Sequence, residues 1–162
     1  MKKFVIAAIA AIFAVTSFVG CTVSADAADI VLEKADVDLT KAKVGYGLKI
    51  KMGDDGETPV TPLEITASGY SQAAIELPYM GFKTAEVTLT TTGKTTIGFL
   101  PKGANVWDDR INGGDAYLDE AITTKTTKTI AIPDGAAFIT FGSNGPNGVT
   151  GTVIKVYSIV LK

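Results

Sequence analysis

The chain reads as an all-β protein, an antiparallel two-sheet β-sandwich of jelly-roll type, and three features predict it. Apolar residues recur at every second position in Ala73-Ala74-Ile75-Glu76-Leu77, Val87-Thr88-Leu89, Thr129-Ile130-Ala131-Ile132 and Val153 to Leu161. That period places alternate side chains on one face of a strand. Turn residues punctuate these runs: Gly53-Asp54-Asp55-Gly56, Pro78 to Gly81, Gly93-Lys94, Pro101-Lys102-Gly103, Asn112-Gly113-Gly114, Pro133-Asp134-Gly135 and Asn144 to Gly148, each rich in the residues that tolerate tight backbone geometry. No intervening stretch carries a helical period, and only Asp29 to Ala42 offers room for a helical turn. Packed sheets are then the way to bury the apolar faces.

The N-terminus is of a different kind. Lys2 and Lys3 precede an uncharged apolar run from Phe4 to Val19, which has the charge, length and flank of a secretory leader and is short for a membrane span. Two processing sites compete. Phe18-Val19-Gly20-Cys21 is similar to the end of a bacterial lipoprotein signal, in which the cysteine becomes lipidated; Gly20 and Cys21 match, and Phe18 stands where leucine is usual. The alternative is ordinary cleavage after Ala27, with Ala25-Asp26-Ala27 as the small-x-small site. Cys21 is the one cysteine in 162 residues, which favours lipidation. On this reading residues 1–20 are the leader, 21–28 a tether and 29–162 a single β-sandwich domain. The mature domain has no disulfide or thiol chemistry, so its stability rests on its core. A lipid would hold it at a membrane surface of the cell envelope; without one it would be secreted.

Charge narrows the partners. Loss of Lys2 and Lys3 with the leader takes 15 basic residues to 13 against 17 acidic ones, a net charge of −4. Nucleic-acid binding needs a basic stripe, and the sequence has none. Leu89 to Leu100, "LTTTGKTTIGFL", contains the Gly-Lys-Thr that closes a phosphate-binding loop. That loop needs a glycine five residues before Gly93 and a helix after Thr95. Position 88 is Thr88, and Thr96-Ile97-Gly98-Phe99-Leu100 reads as a strand. Nucleotide binding is therefore excluded, and Thr92-Gly93-Lys94 is expected to close a hairpin. Asp54 to Pro62 is expected as an exposed loop after the first hairpin region, and the threonines of Thr123 to Thr129 suit exposed strand faces.

Catalysis finds little support. The chain has no histidine, which removes Ser-His and Cys-His nucleophiles and the usual zinc sets. Asp108, Asp109, Asp115, Asp119 and Glu120 offer paired carboxylates of the kind that glycoside hydrolysis uses, but acidic residues in a Gly-Asn-rich loop are far more often a solvated surface, and no spacing in the sequence reports their distance across a cleft. The chain is read as a non-enzyme. No cofactor is expected beyond a structural calcium, for which Asp54-Asp55-Gly56-Glu57 and Asp108-Asp109 supply oxygen donors without the spaced run of a dedicated loop.

The densest stretch is Pro101 to Glu120. It holds the single tryptophan, Trp107, the single arginine, Arg110, and Asp108, Asp109, Asn112, Asp115 and Tyr117. Sugar recognition uses this mixture: an aromatic face stacks on the C–H side of a pyranose while carboxylate, amide and guanidinium groups bond its hydroxyls. A lone tryptophan in a domain with few large aromatics is more often its main core filler, and neighbouring Asp and Arg also pair with each other on surfaces. Tyr79, in the apolar turn Leu77 to Phe82, is a further aromatic candidate, with packing at the sandwich edge as the other reading.

Ile132-Pro133-Asp134-Gly135-Ala136-Ala137-Phe138-Ile139-Thr140-Phe141, a glycine-rich loop, and Gly151 to Lys162 resemble the last two strands of jelly-roll carbohydrate-binding modules of the galactose-binding-like type. The likeness spans Thr127 to Lys162, and Ser71 to Leu100 more loosely. It implies a jelly-roll fold and binding of a polysaccharide or surface glycan without bond cleavage. The alternative is a structural or adhesive envelope protein that contacts other proteins. Lipoprotein processing makes one prediction: mass spectrometry of the native N-terminus finds a diacylglyceryl-modified Cys21, whereas an unmodified terminus at Ala28 contradicts it.

Overall fold

A computed structural model describes residues 34–44, 48–67, 72–78, 81–105, 110–142 and 151–162. The expected leader, Cys21, Tyr79, Trp107, Asp108 and Asp109 lie outside them. Eleven strands are described: β1 (Ala35–Asp36), β2 (Lys43–Val44), β3 (Lys49–Ile50), β4 (Leu63–Thr66), β5 (Gln72–Glu76), β6 (Thr84–Thr91), β7 (Thr95–Pro101), β8 (Ala116–Leu118), β9 (Ile122–Ala131), β10 (Ala136–Gly142) and β11 (Val153–Leu161). Among the described residues one 3-10 turn, Leu39–Lys41, falls inside the stretch expected to allow a helical turn. Asp38 caps it by accepting from the Thr40 N–H, the usual role of an aspartate there.

The strands form two antiparallel sheets, in the orders β3-β4-β11-β6-β9, with β1 also beside β11, and β2-β5-β10-β7-β8. This is the β-sandwich that the alternating runs predict. From β3 onward the chain changes sheet at β4–β5, β5–β6, β6–β7, β8–β9, β9–β10 and β10–β11. The strands that pair are therefore mostly distant in sequence.

That topology corrects two local expectations. Thr92-Gly93-Lys94 does not close a hairpin: β6 lies between β11 and β9 and β7 between β10 and β8, so the turn crosses from one sheet to the other. Local residues specify the bend, through Thr91 Oγ1 donating to the Gly93 carbonyl at 2.7 Å, but not the partners of the strands leaving it. A strand follows Thr95, not the helix of a phosphate loop. Residues 54–62 belong to the hairpin between paired β3 and β4 and do not follow it. Asp55 Oδ1 closes this loop by accepting from the Glu57 and Thr58 N–H groups at 3.0 and 2.9 Å, and hydrogen bonds from Thr58, then Glu57, lower its pKa.

Between the sheets lie Leu63, Ile65, Ile75, Val87, Leu89, Ile97, Phe99, Ile139, Phe141, Ile154 and Leu161, all without solvent exposure. Leu77 and Phe82 join this core, which settles the ends of the apolar turn as packing. Strand β6 alternates half-buried with buried positions, as a sheet wet on one face should. By contrast, β7 is buried at every position from Thr95 to Leu100. The five-stranded sheet is therefore covered at its centre on both faces.

Packing predicts an asymmetry in stability. Phe99→Ala should cost about 3–5 kcal/mol in urea unfolding, while Thr127→Ala, on the exposed strand β9, should stay within about 0.5 kcal/mol. Equal effects would contradict the assignment of the core.

Candidate functional site

Alternation along β7 fixes which groups face away from the core. Ile97 and Phe99 enter the core, so Thr96, Gly98 and Leu100 face outward. Register carries the same sidedness across the sheet, with Gly142, Thr140 and Phe138 opposite them on β10, Gln72, Ala74 and Glu76 on β5, and Tyr117 opposite Thr96 on β8.

Gly98 is the low point of this outer face. A Cβ there would lie 2.3 Å from Arg110 Cδ and 2.6 Å from Asp115 Oδ1, closer than carbon and oxygen can approach. The missing side chain lets these two residues lie directly on the sheet. The main chain holds them there, with the Ile111 N–H donating to the Phe99 carbonyl at 2.8 Å and a turn from Ile111 to Gly114, with Gly113 at φ +79°.

Arg110 Nε stands 3.5 Å from Asp115 Oδ1, and both side chains are about one-fifth exposed. The contact is an ion pair without a hydrogen bond, since Asp115 Oδ1 is buried with no hydrogen-bond partner. Asp115 Oδ2 accepts from the Tyr117 hydroxyl at 3.0 Å. That hydrogen bond, and then the carboxylate charge, raise the Tyr117 pKa above its ordinary value, because ionising the phenol would place two negative charges together. Thr96 Oγ1 and Thr140 Oγ1 are also buried without partners. These three orphaned oxygens belong to the floor around Gly98, while a fourth, Thr152 Oγ1, lies beside Gly93.

Further along the same face is an open cleft of about 250 Å³. Val44, Ala74, Leu100, Ala104 and Phe138 form its apolar walls, and Lys43 and Asn105 its polar part. Leu100 is two residues from Gly98 and Phe138 two from Thr140, so cleft and polar cluster share β7 and β10.

Of the residues singled out in the sequence, the fold brings together Arg110, Asp115 and Tyr117, and Asn112 sits exposed in the adjoining turn. Trp107, Asp108, Asp109 and Tyr79 lie outside the described residues. Thr96, Gly98, Thr140 and the cleft were not foreseen. Gly98 had a signal, since an isolated glycine inside a strand marks a close approach. Among the described residues no three of His, Cys, Asp and Glu gather to hold a metal.

No known family profile matches the chain, and no curated protein matches it. Solved structures do share its fold. A low-affinity xylan-binding module, CBM86 from Roseburia intestinalis, superposes with a TM-score of 0.55 at 16% identity, over 80% of this chain and 94% of that one. A variant of a family 29 carbohydrate-binding module complexed with mannohexaose gives 0.50 at 12% identity, over 79% and 89%. The shared element is the β-sandwich.

The hydrogen bond to Asp115 is open to measurement. Asp115→Ala should lower the Tyr117 pKa toward that of free tyrosine, and Gly98→Ala, which pushes the carboxylate off the sheet, should move it the same way. Ring-carbon shifts of Tyr117 followed through alkaline pH report this, and identical titrations in all three proteins would contradict the geometry.

Proposed function

We propose that this chain is a non-catalytic glycan-binding domain, exported to the cell envelope, held at a membrane surface through a lipid on Cys21, and recognising polysaccharide on the outer face of the five-stranded sheet. The observation that carries the reading is the Arg110–Asp115–Tyr117 cluster seated on Gly98. It sets a donor, an acceptor and an aromatic ring side by side at a partly exposed surface, the combination that meets vicinal hydroxyls and the apolar side of a sugar. Trp107, Asp108 and Asp109, which precede Arg110 in the sequence, are of the residue types that the same recognition uses. Two proteins of the same fold, one described as binding xylan and one complexed with mannohexaose, support this ligand class.

Pairing of the charges points to a neutral face and to hydroxyl recognition. The absence of histidine from the sequence removes the imidazole general base, and this reading gives the carboxylates a binding role only. Protein–protein adhesion remains the competing reading.

Affinity electrophoresis against a panel of polysaccharides tests the proposal. Tyr117→Ala should weaken retention by about tenfold, the loss of roughly 1.4 kcal/mol of contact, and Trp107→Ala should abolish it with the melting temperature nearly unchanged. A large fall in stability of the tryptophan variant would assign Trp107 to the core. A chain that ignores every polysaccharide but captures a stable partner from envelope extracts would replace glycan binding with adhesion.

A further inference from the structure

In an asparagine–glycine pair the side-chain amide meets the next main-chain nitrogen with least hindrance, because glycine has no Cβ to block the approach. Three of the four asparagines stand before glycine, and the fourth, Asn105, stands before the β-branched Val106. Asn144 and Asn147 lie outside the described residues. Asn112 is described, and its place in the fold gives the pairing a consequence.

Asn112 and Gly113 form the exposed tip of the turn from Ile111 to Gly114. The bond that closes this turn runs from the Gly114 N–H to the Ile111 carbonyl at 3.3 Å. That exceeds the usual N–H···O separation of about 2.9–3.0 Å, so an exposed tip opens at little cost. The closure uses the nitrogen of Gly114 and not that of Gly113. Opening lets the Asn112 amide reach the Gly113 nitrogen.

Water is the sole co-reactant of the chemistry that follows. The Gly113 nitrogen attacks Asn112 Cγ and forms a C–N bond that closes a cyclic imide. The side-chain nitrogen leaves as ammonia, taking the proton that Gly113 loses. Water then adds to one imide carbonyl and breaks its C–N bond. Opening at Cγ gives aspartate with the main chain as before. Opening at the main-chain carbonyl gives isoaspartate, whose backbone runs through the side chain and is longer by one C–C bond, about 1.5 Å. Both products gain a negative charge.

The feet of the turn are fixed. At one end the Ile111 N–H donates to the Phe99 carbonyl at 2.8 Å. At the other, Gly114 is buried, with Pro133 Cγ 2.7 Å from where a Cβ would lie. Asp115 follows directly, with Oδ1 2.6 Å from the Cβ position of Gly98 and Oδ2 3.0 Å from the Tyr117 hydroxyl. A longer turn between these feet shifts Asp115 on the sheet and takes its carboxylate from Tyr117.

We infer that Asn112 is a site of spontaneous deamidation through Gly113, and that its isoaspartate product withdraws Asp115 from the Arg110–Tyr117 cluster. The chain thus carries a slow, irreversible change in the surface proposed to bind glycan, and neither step depends on that proposal.

The full chain is stored for weeks in neutral buffer beside Asn112→Gln, which shares every other change, and a synthetic peptide of residues 110–115. Peptide mapping reads loss of the amide at each asparagine and distinguishes aspartate from isoaspartate. Ring-carbon titration of Tyr117 compares the modified fraction with the fresh chain and with Asn112→Asp, which supplies the aspartate form alone. Conversion is expected at Asn112 and not at Asn105. In the isoaspartate fraction the Tyr117 pKa should fall toward that of free tyrosine, while stored Asn112→Gln titrates as the fresh chain does. Asn112 intact after the peptide has converted would overturn the modification. Isoaspartate at position 112 with an unmoved Tyr117 titration would overturn its effect on Asp115.

Discussion

The five-stranded sheet has to be covered on both sides, and the arrangement of the candidate site follows from that constraint. Strand β7 runs from Thr95 to Leu100 without an exposed residue. Its inner set, Ile97 and Phe99, is held by aliphatic burial against the other sheet. Its outer set, Thr96, Gly98 and Leu100, needs a cover of its own, and the segment around Arg110 to Asp115 provides part of it. Because Gly98 has no side chain, that cover comes down to backbone level and brings an ion pair with it. A larger residue at position 98 would push Arg110 and Asp115 away from the sheet.

The other sheet turns a different kind of face outward. Lys155 pairs with Glu64 and Lys162 with Glu86, the Lys125 ammonium lies 4.6 Å from the centre of the Tyr157 ring, and Thr88 shares a hydrogen bond with Thr127 at 2.9 Å. Charges matched in place and threonines with their methyls packed make a solvated surface, where each exposed pair adds little to stability. Lysines on the edge strand β9 also discourage pairing with another sheet. Among the described residues, the Arg110–Asp115–Tyr117 cluster and the cleft both lie on the outer face of the five-stranded sheet.

How much of this was legible in the sequence depended on whether the signal was local. Strands β6 and β11 alternate so regularly that their existence and buried faces follow from period two alone. Strand β10 does not show its sidedness in this way, because Phe138 and Phe141 are both large and apolar yet face opposite sides. Which set meets the core is decided by the neighbouring strands. The same holds at Thr92-Gly93-Lys94, where the bend is written locally and the crossing between sheets is not. Arg110, Asp115 and Tyr117 were recognisable as residue types suited to sugars, but their meeting depends on Gly98, which is distant from them in the sequence. The cleft joins β2, β5, β7 and β10, four strands separated by much of the chain, and no spacing in the sequence foretells it.

On the proposed function, a glycan meets the outer face of the five-stranded sheet. Amide chemical-shift mapping of the full chain with a soluble oligosaccharide from a retained polysaccharide tests this most directly. It should show perturbations at Thr96, Gly98, Arg110, Asp115, Tyr117 and Thr140, with Thr88, Thr127 and Tyr157 on the opposite face unmoved. Perturbations centred on that opposite face would contradict the account.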